Sequence, residues 1–134
     1  MKYNKLGDTE INISSIGLGT MTYGEQNTEL ESFKIMDFAY DNGINFIDTA
    51  EMYPIYPKAE TYGKSEKIIG KWLKGKPRDK ILIGTKIASK NEVGIGATKL
   101  NWIRNGGVNL TFDKANLTKA IEDSLRRLQT DYID

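Results

Sequence analysis

Apolar runs of strand length alternate with helical stripes along this chain, and that alternation predicts an α/β protein built on a parallel sheet. The strand-like runs are apolar almost throughout, as strands buried on both faces are, while the segments between them repeat their apolar residues at helical intervals. Loop lengths add a third observation. Connections after the helices are short, but those after the strands are long: Met21 to Asn27, Thr49 to Lys64, and Ile87 to about Phe112. Elaboration therefore falls at the carboxyl ends of the strands, where open α/β sheets and barrels both place ligands. The pattern leaves a doubly wound sheet and a (β/α)8 barrel equally open.

The first fifteen residues predict a hairpin outside the repeat, with Tyr3 to Leu6 and Ile11 to Ser14 flanking Gly7-Asp8-Thr9-Glu10. Ile16-Gly17-Leu18-Gly19-Thr20 is a glycine-interrupted strand whose end another backbone or a ligand can approach closely. Thr28 and Glu31 have capping-box spacing, Leu30, Phe33, Met36 and Tyr40 follow at helical intervals, and Asn42-Gly43 ends the helix. A second strand over 44–48 leads to a helix with Ser65 as N-cap, Ile68, Ile69, Trp72 and Leu73 on one side, and Gly75-Lys76-Pro77 as its stop. Strand 81–86 follows. The third helix carries Leu117, Ala120, Ile121, Ser124, Leu125 and Leu128, and Tyr132-Ile133-Asp134 reads as the start of a fourth strand.

Composition narrows the function. With 134 residues the chain is long enough for a core, and 19 basic against 18 acidic residues give no field to recruit nucleic acid or an acidic membrane. No stretch is apolar for the roughly 18 residues a membrane span needs, and no signal-peptide core follows Met1, so a soluble cytoplasmic protein is expected. Neither cysteine nor histidine occurs, so this chain alone builds no zinc site and no Ser-His-Asp triad, and no metal is expected.

The candidate chemistry lies at the strand ends. Asp48 ends one strand, Tyr53 follows in its loop, and Lys86 ends the next strand, so all three can face one mouth. A tyrosine titrates near pH 10, and bringing such a phenol to neutrality requires about 4 kcal/mol in favour of the phenolate. A lysine ammonium about 4 Å away supplies about 1 kcal/mol in bulk water and about 4 kcal/mol at an effective dielectric near 20, so the pair needs shelter from solvent. An aspartate would keep the lysine in place and charged, at the cost of cancelling part of its field. The group best matched to a phenolic acid is a carbonyl oxygen gaining negative charge as hydride arrives.

These residues resemble the aldo-keto reductase superfamily. The matching segments are Gly17-Leu18-Gly19-Thr20-Met21, Gly43 through Tyr53, Ser65-Glu66 through Gly70, Thr85-Lys86, Ser124-Leu125-Arg126-Arg127-Leu128 and Asp131-Tyr132-Ile133-Asp134, in order along the chain. The wording around Met21 to Asn27 and Ala50 to Pro54 is similar to the bacterial Tas-like branch. The resemblance implies the amino-terminal half of a (β/α)8 barrel, with residues 1–15 as the hairpin closing the barrel bottom and 16–134 as a partial barrel truncated in strand four. It further implies NADPH-dependent reduction of an aldehyde or ketone. Tyr53 would be the general acid, Lys86 the group lowering its pKa and Asp48 the partner of the lysine. Gly19, Thr20, Met21 and Asp48 would be the neighbours of the nicotinamide. The family's catalytic histidine and its segments for the adenosine phosphate lie beyond the matched part, so the chain alone is expected to be inactive, with NADPH held weakly. An apolar strand face bearing Ile44, Phe46, Ile81 and Ile83 beside open edges then favours pairing with a carboxyl-terminal half or with a second copy. A cofactor-binding regulatory subunit of the same fold and an inert fragment are the competing readings.

Several features invite blander accounts. Gly94-Ile95-Gly96 and Gly106-Gly107 lack Walker spacing and are expected to be loop glycines. Tyr56 and Tyr62 are expected to pack in the loop, Trp72 in the core, and Arg126 and Arg127 on a solvated helix face. Trp102 is open to substrate contact or packing. The segment Pro54 to Tyr62 is insertion-like relative to many members of the family and leaves substrate choice open.

Overall fold

The computed structural model describes residues 1–88, 102–104 and 110–134, so the two glycine pairs of the long loop lie outside the described residues. Strands β1 (Tyr3–Lys5) and β2 (Asn12–Ser14) form the expected antiparallel hairpin, with Tyr3 opposite Ser14. Then come β3 (Leu18–Gly19), α1 (Glu29–Asp41), β4 (Phe46–Asp48), α2 (Lys64–Leu73), β5 (Leu82–Gly84) and α3 (Lys114–Leu128). The second sheet has the order β3-β4-β5 and is parallel throughout. Asn45 fastens the hairpin to the start of β4: its amide oxygen accepts from the Ser14 N–H at 2.8 Å and its Nδ2 donates to the Asn12 carbonyl at 2.8 Å. The hairpin thus sits at the end of the sheet opposite the loops.

Helix α1 opens on the expected capping box. The Thr28 hydroxyl accepts from the Glu31 N–H at 3.3 Å, and the Glu31 carboxylate accepts from the Thr28 N–H at 2.8 Å. Asn42 caps its end, and Gly43 turns the chain with φ 82°, a left-handed value that costs glycine little. Met36 is buried and Phe33 and Tyr40 half-buried, but Leu30 lies in the first turn on the solvent side and is 64% exposed. Helix α2 begins one residue earlier than its expected N-cap. Gly63, in left-handed backbone, is the N-cap, and Ser65 is a buried helical residue. Its hydroxyl lies 2.9 Å from the carbonyls of both Thr20 and Tyr23, so it ties the helix to the loop after β3 instead of capping its own helix.

The core lies between the sheet and the helices. Ile47, Ile81 and Ile83 pack beneath Met36, Ile68, Ile69, Trp72, Leu73 and Leu128, each burial stabilising by roughly 1.5–3 kcal/mol. Trp72 is core as expected, with an edge-on contact to Tyr40 and its ring N–H on Asp37. The expectation that Ile44, Phe46, Ile81 and Ile83 share one open face needs correction. Register pairs Phe46 with Leu82 and Ile47 with Ile83, so the period of two sends Ile81 and Ile83 under the helices and leaves Phe46 and Leu82 on the other face. There the Phe46 ring spreads across two neighbouring strands: a Cβ on Gly17 would meet it at 2.8 Å and one on Gly84 at 3.1 Å. The expected fourth strand is not formed over Tyr132-Ile133-Asp134, although the Asp134 N–H donates to the Ile83 carbonyl of β5 at 3.2 Å. Among the described residues, no helix is long and apolar enough to cross a membrane.

Candidate active site

The alternation that sends Ile47 and Ile83 into the core sends Asp48 and Lys86 the other way. Asp48 is opposite Gly84 in the β4–β5 register, and Lys86 is two residues further along the same face. Parallel pairing continues past the named strands, since the Thr49 N–H donates to the Gly84 carbonyl at 2.9 Å and the Glu51 N–H to the Lys86 carbonyl at 3.1 Å. These bonds carry the turn leading to Tyr53 alongside Lys86. The Lys86 ammonium lies 2.8 and 2.7 Å from the two Asp48 carboxylate oxygens and 4.8 Å from the centroid of the Tyr53 ring. The structure therefore brings all three residues together. Lys86 and Asp48 remain about half exposed, at 47% and 44% of their side-chain surface, so the ion pair stabilises the fold by only about 0–1 kcal/mol. Full electrostatic influence on the phenol needs a covering group that excludes water.

The end of β3 completes the mouth. Thr20 is fully buried; its hydroxyl and its N–H both donate to the Asp48 carbonyl, at 2.9 and 3.1 Å, latching β3 to β4 from below. Gly19 and Met21 face outward: a Cβ on Gly19 would meet nothing within 4 Å, and Met21 is 49% exposed. Gly19, Met21 and Asp48 thus offer accessible surface beside the phenol, and Thr20 supports it. The Ile55 N–H donates to the Met21 carbonyl at 2.9 Å, binding the loop of Tyr53 to the same edge.

Two buried ion pairs beside these elements were not legible in the sequence. Glu51 is fully buried and pairs with Arg104 at 2.8 Å, and the Tyr62 hydroxyl donates to its second oxygen at 3.1 Å. Burial, then the charge of Glu51, pushes the Tyr62 phenol up to about 12, which keeps it a protonated donor to Glu51. Glu66, also fully buried, accepts from the Thr85 hydroxyl at 2.6 Å and from Arg127 at 2.6 Å. Arg126 is the solvated residue that sequence analysis expects, but Arg127 is not. It turns inward because Glu66, on the face of α2 packed against α3, needs a counter-charge, and its guanidinium also lies 5.2 Å from the Tyr62 ring centroid. Tyr62 packs edge-on against Trp102 at 5.5 Å, which gives both aromatics a packing role. The pairs are 53 and 61 residues apart, a separation at which no local spacing rule operates.

A hairpin followed by parallel β/α units, with loops and ionisable groups gathered at the strand ends, is the architecture of the amino-terminal part of a reductase (β/α)8 barrel. The chain belongs to the aldo/keto reductase family, whose pattern it matches over residues 15–134. It is 40% identical over its whole length to Protein tas of Escherichia coli, of which it covers 37%, and 36% identical to the aldo-keto reductase YhdN of Bacillus subtilis, of which it covers 36%. Among solved structures it is similar to the holo form of aldo-keto reductase AKR11C1 from Bacillus halodurans, with 36% identity, a TM-score of 0.72, and coverage of 100% of this chain and 38% of that one. The chain thus spans a little over a third of the length of these relatives.

Proposed function

We propose that this chain supplies the proton-donating side of an NADPH-dependent carbonyl reductase. Tyr53 gives its phenolic proton to the carbonyl oxygen of an aldehyde or ketone, so that the oxygen leaves as an alcohol. Lys86 stabilises the phenolate left behind, and Asp48 holds the ammonium against the ring while keeping it charged. The observation that carries this reading is the bidentate Asp48–Lys86 pair set 4.8 Å from the Tyr53 ring centroid at the mouth of parallel strands. The open surface of Gly19 and Met21 beside Asp48 fits a flat ring, and these residues would hold the nicotinamide. That cofactor supplies hydride when bound. Anchoring of its phosphates is assigned to segments that relatives carry beyond the matched region, so the chain by itself should bind NADPH weakly and turn over no carbonyl. Phe46 and Leu82, on the face away from the helices, are the surface on which such segments or a second copy would pack.

The test is a graft in which this chain replaces the matched portion of AKR11C1 from Bacillus halodurans. The graft should oxidise NADPH in the presence of benzaldehyde, and Lys86→Met should lower kcat by roughly tenfold or more, in line with acid–base contributions. A graft that binds NADPH yet reduces no carbonyl, or an active one indifferent to Lys86→Met, would contradict the proposal.

A further inference from the structure

Glu51, two residues before the proposed acid, and its partner Arg104 take no part in the proton transfer described above. Both side chains are dry, with 0% and 1% of their surface exposed. Desolvating two charges makes a buried ion pair a weak source of stability, whereas its hydrogen bonds are strongly directional. The directions here are informative. One Glu51 oxygen accepts from the Ala88 N–H at 2.5 Å and from Arg104 Nη2 at 2.8 Å; the other accepts from Tyr62 at 3.1 Å and Arg104 Nε at 3.3 Å. Arg104 Nη2 also donates to the Ala88 carbonyl, and Nη1 reaches Asn116 Oδ1 on α3 at 3.3 Å. Glu51 is two residues before Tyr53, and Ala88 is two residues after Lys86. With the Glu51 N–H on the Lys86 carbonyl, the segments bearing the phenol and the ammonium are tied together by main chain and by carboxylate.

Two more features set this cluster apart from ordinary loop packing. Arg104 has φ 51°, a left-handed backbone unfavourable for a long side chain, so the loop accepts strain to aim the guanidinium inward. Ala88, Ile103 and Leu110 form an apolar cluster with Met52, Tyr62 and Trp102; Ala88 and Tyr62 of this cluster bond Glu51, and Met52 adjoins Tyr53. We propose that Glu51 and Arg104 are positioning residues: their buried pair sets the placement of Tyr53 relative to Lys86 and makes that placement depend on the returning long loop. The inference rests on the assignment of Tyr53 and Lys86 as the working pair. Misplacement by about 1 Å costs roughly 10²-fold in rate, so the effect belongs in kcat.

In the graft, Arg104→Met should lower kcat about 10²-fold with KM for benzaldehyde and affinity for NADPH within about threefold, and Arg104→Lys should recover part of the loss. Lys86→Met separates the two claims. If it leaves turnover unchanged, the acid assignment fails; if it lowers turnover while Arg104→Met and Glu51→Gln leave kcat unchanged, only the positioning claim fails. Hydrogen exchange on the 134-residue chain gives an answer independent of turnover and of the graft. The neutral pair Glu51→Gln with Arg104→Gln, which leaves no stranded charge, should speed exchange at the Glu51, Tyr53 and Ala88 amides about tenfold or more while Ile69 and Leu125 are unchanged. Equal exchange at the turn in both forms, or uniform acceleration along the chain, would overturn the proposal.

Discussion

Replacing Gly70 with alanine sets helix propensity directly against packing. Gly70 lies inside α2, where alanine is intrinsically better by about 1 kcal/mol. Its position against α3 reverses the expectation. An added Cβ would sit 2.4 Å from the Arg127 carbonyl oxygen, 2.7 Å from the Leu128 carbonyl carbon and 2.8 Å from the Leu128 oxygen. All three are main-chain atoms, so no side-chain rotation relieves the contact, and the helices must separate. Overpacking of that kind costs about 1–3 kcal/mol, and rigid backbone neighbours place it at the upper end. The net effect is a loss of about 1–2 kcal/mol, or a fall of roughly 5 °C in Tm for a chain of this size. Urea unfolding followed by the fluorescence of buried Trp72 measures it directly. A Gly70→Ala protein as stable as the parent, or more stable, would refute the close approach of α2 and α3, and with it the geometry that pairs Glu66 with Arg127.

Thr28→Ala removes half of the capping box and should cost about 1 kcal/mol, whereas Thr28→Ser should be nearly neutral; equilibrium unfolding distinguishes them. Arg127→Leu strands the buried Glu66 carboxylate and should destabilise by about 3–5 kcal/mol, with much of the loss recovered when Glu66→Gln is added. The recovery in the double variant is the informative number. Asp113 caps α3, and hydrogen bonds from the Thr111 hydroxyl, the Asn116 side chain and the Asn116 N–H hold its carboxyl well below the usual range. Its folded value lies below its unfolded one, so its contribution is complete above about pH 4 and is lost as pH falls towards the folded value. Asp113→Asn should therefore flatten the acid limb of the stability–pH curve; an unchanged limb would show that the cap is absent in solution.

The sequence made the local features legible. Capping spacing located the start of α1 and apolar runs located β4 and β5, because each depends on neighbours a few residues apart; Asp48 and Lys86, 38 residues apart, could be placed together with Tyr53 because parallel strands bring their carboxyl ends to one edge. What escaped was set by tertiary contact. Ser65 has the composition of an N-cap, but the carbonyls of Thr20 and Tyr23 engage its hydroxyl, 45 and 42 residues away. Arg127 stands beside exposed Arg126 in the chain, and only the opposing Glu66 distinguishes them. Ile81 and Ile83 look alike with Ile44 and Phe46 until the register fixes which residues face the helices. Glu51 offered one signal in retrospect: an acidic residue set between Ala50 and Met52, both apolar.

Proton donation by Tyr53 is tested by Tyr53→Phe in the graft, because the ring against Lys86 is kept and only the hydroxyl is lost. With the donor gone, kcat for benzaldehyde reduction should fall by roughly 10² to 10⁴ while the affinity for NADPH changes little. Carbonyl reduction near the parent rate by that variant would contradict it and move the acid elsewhere.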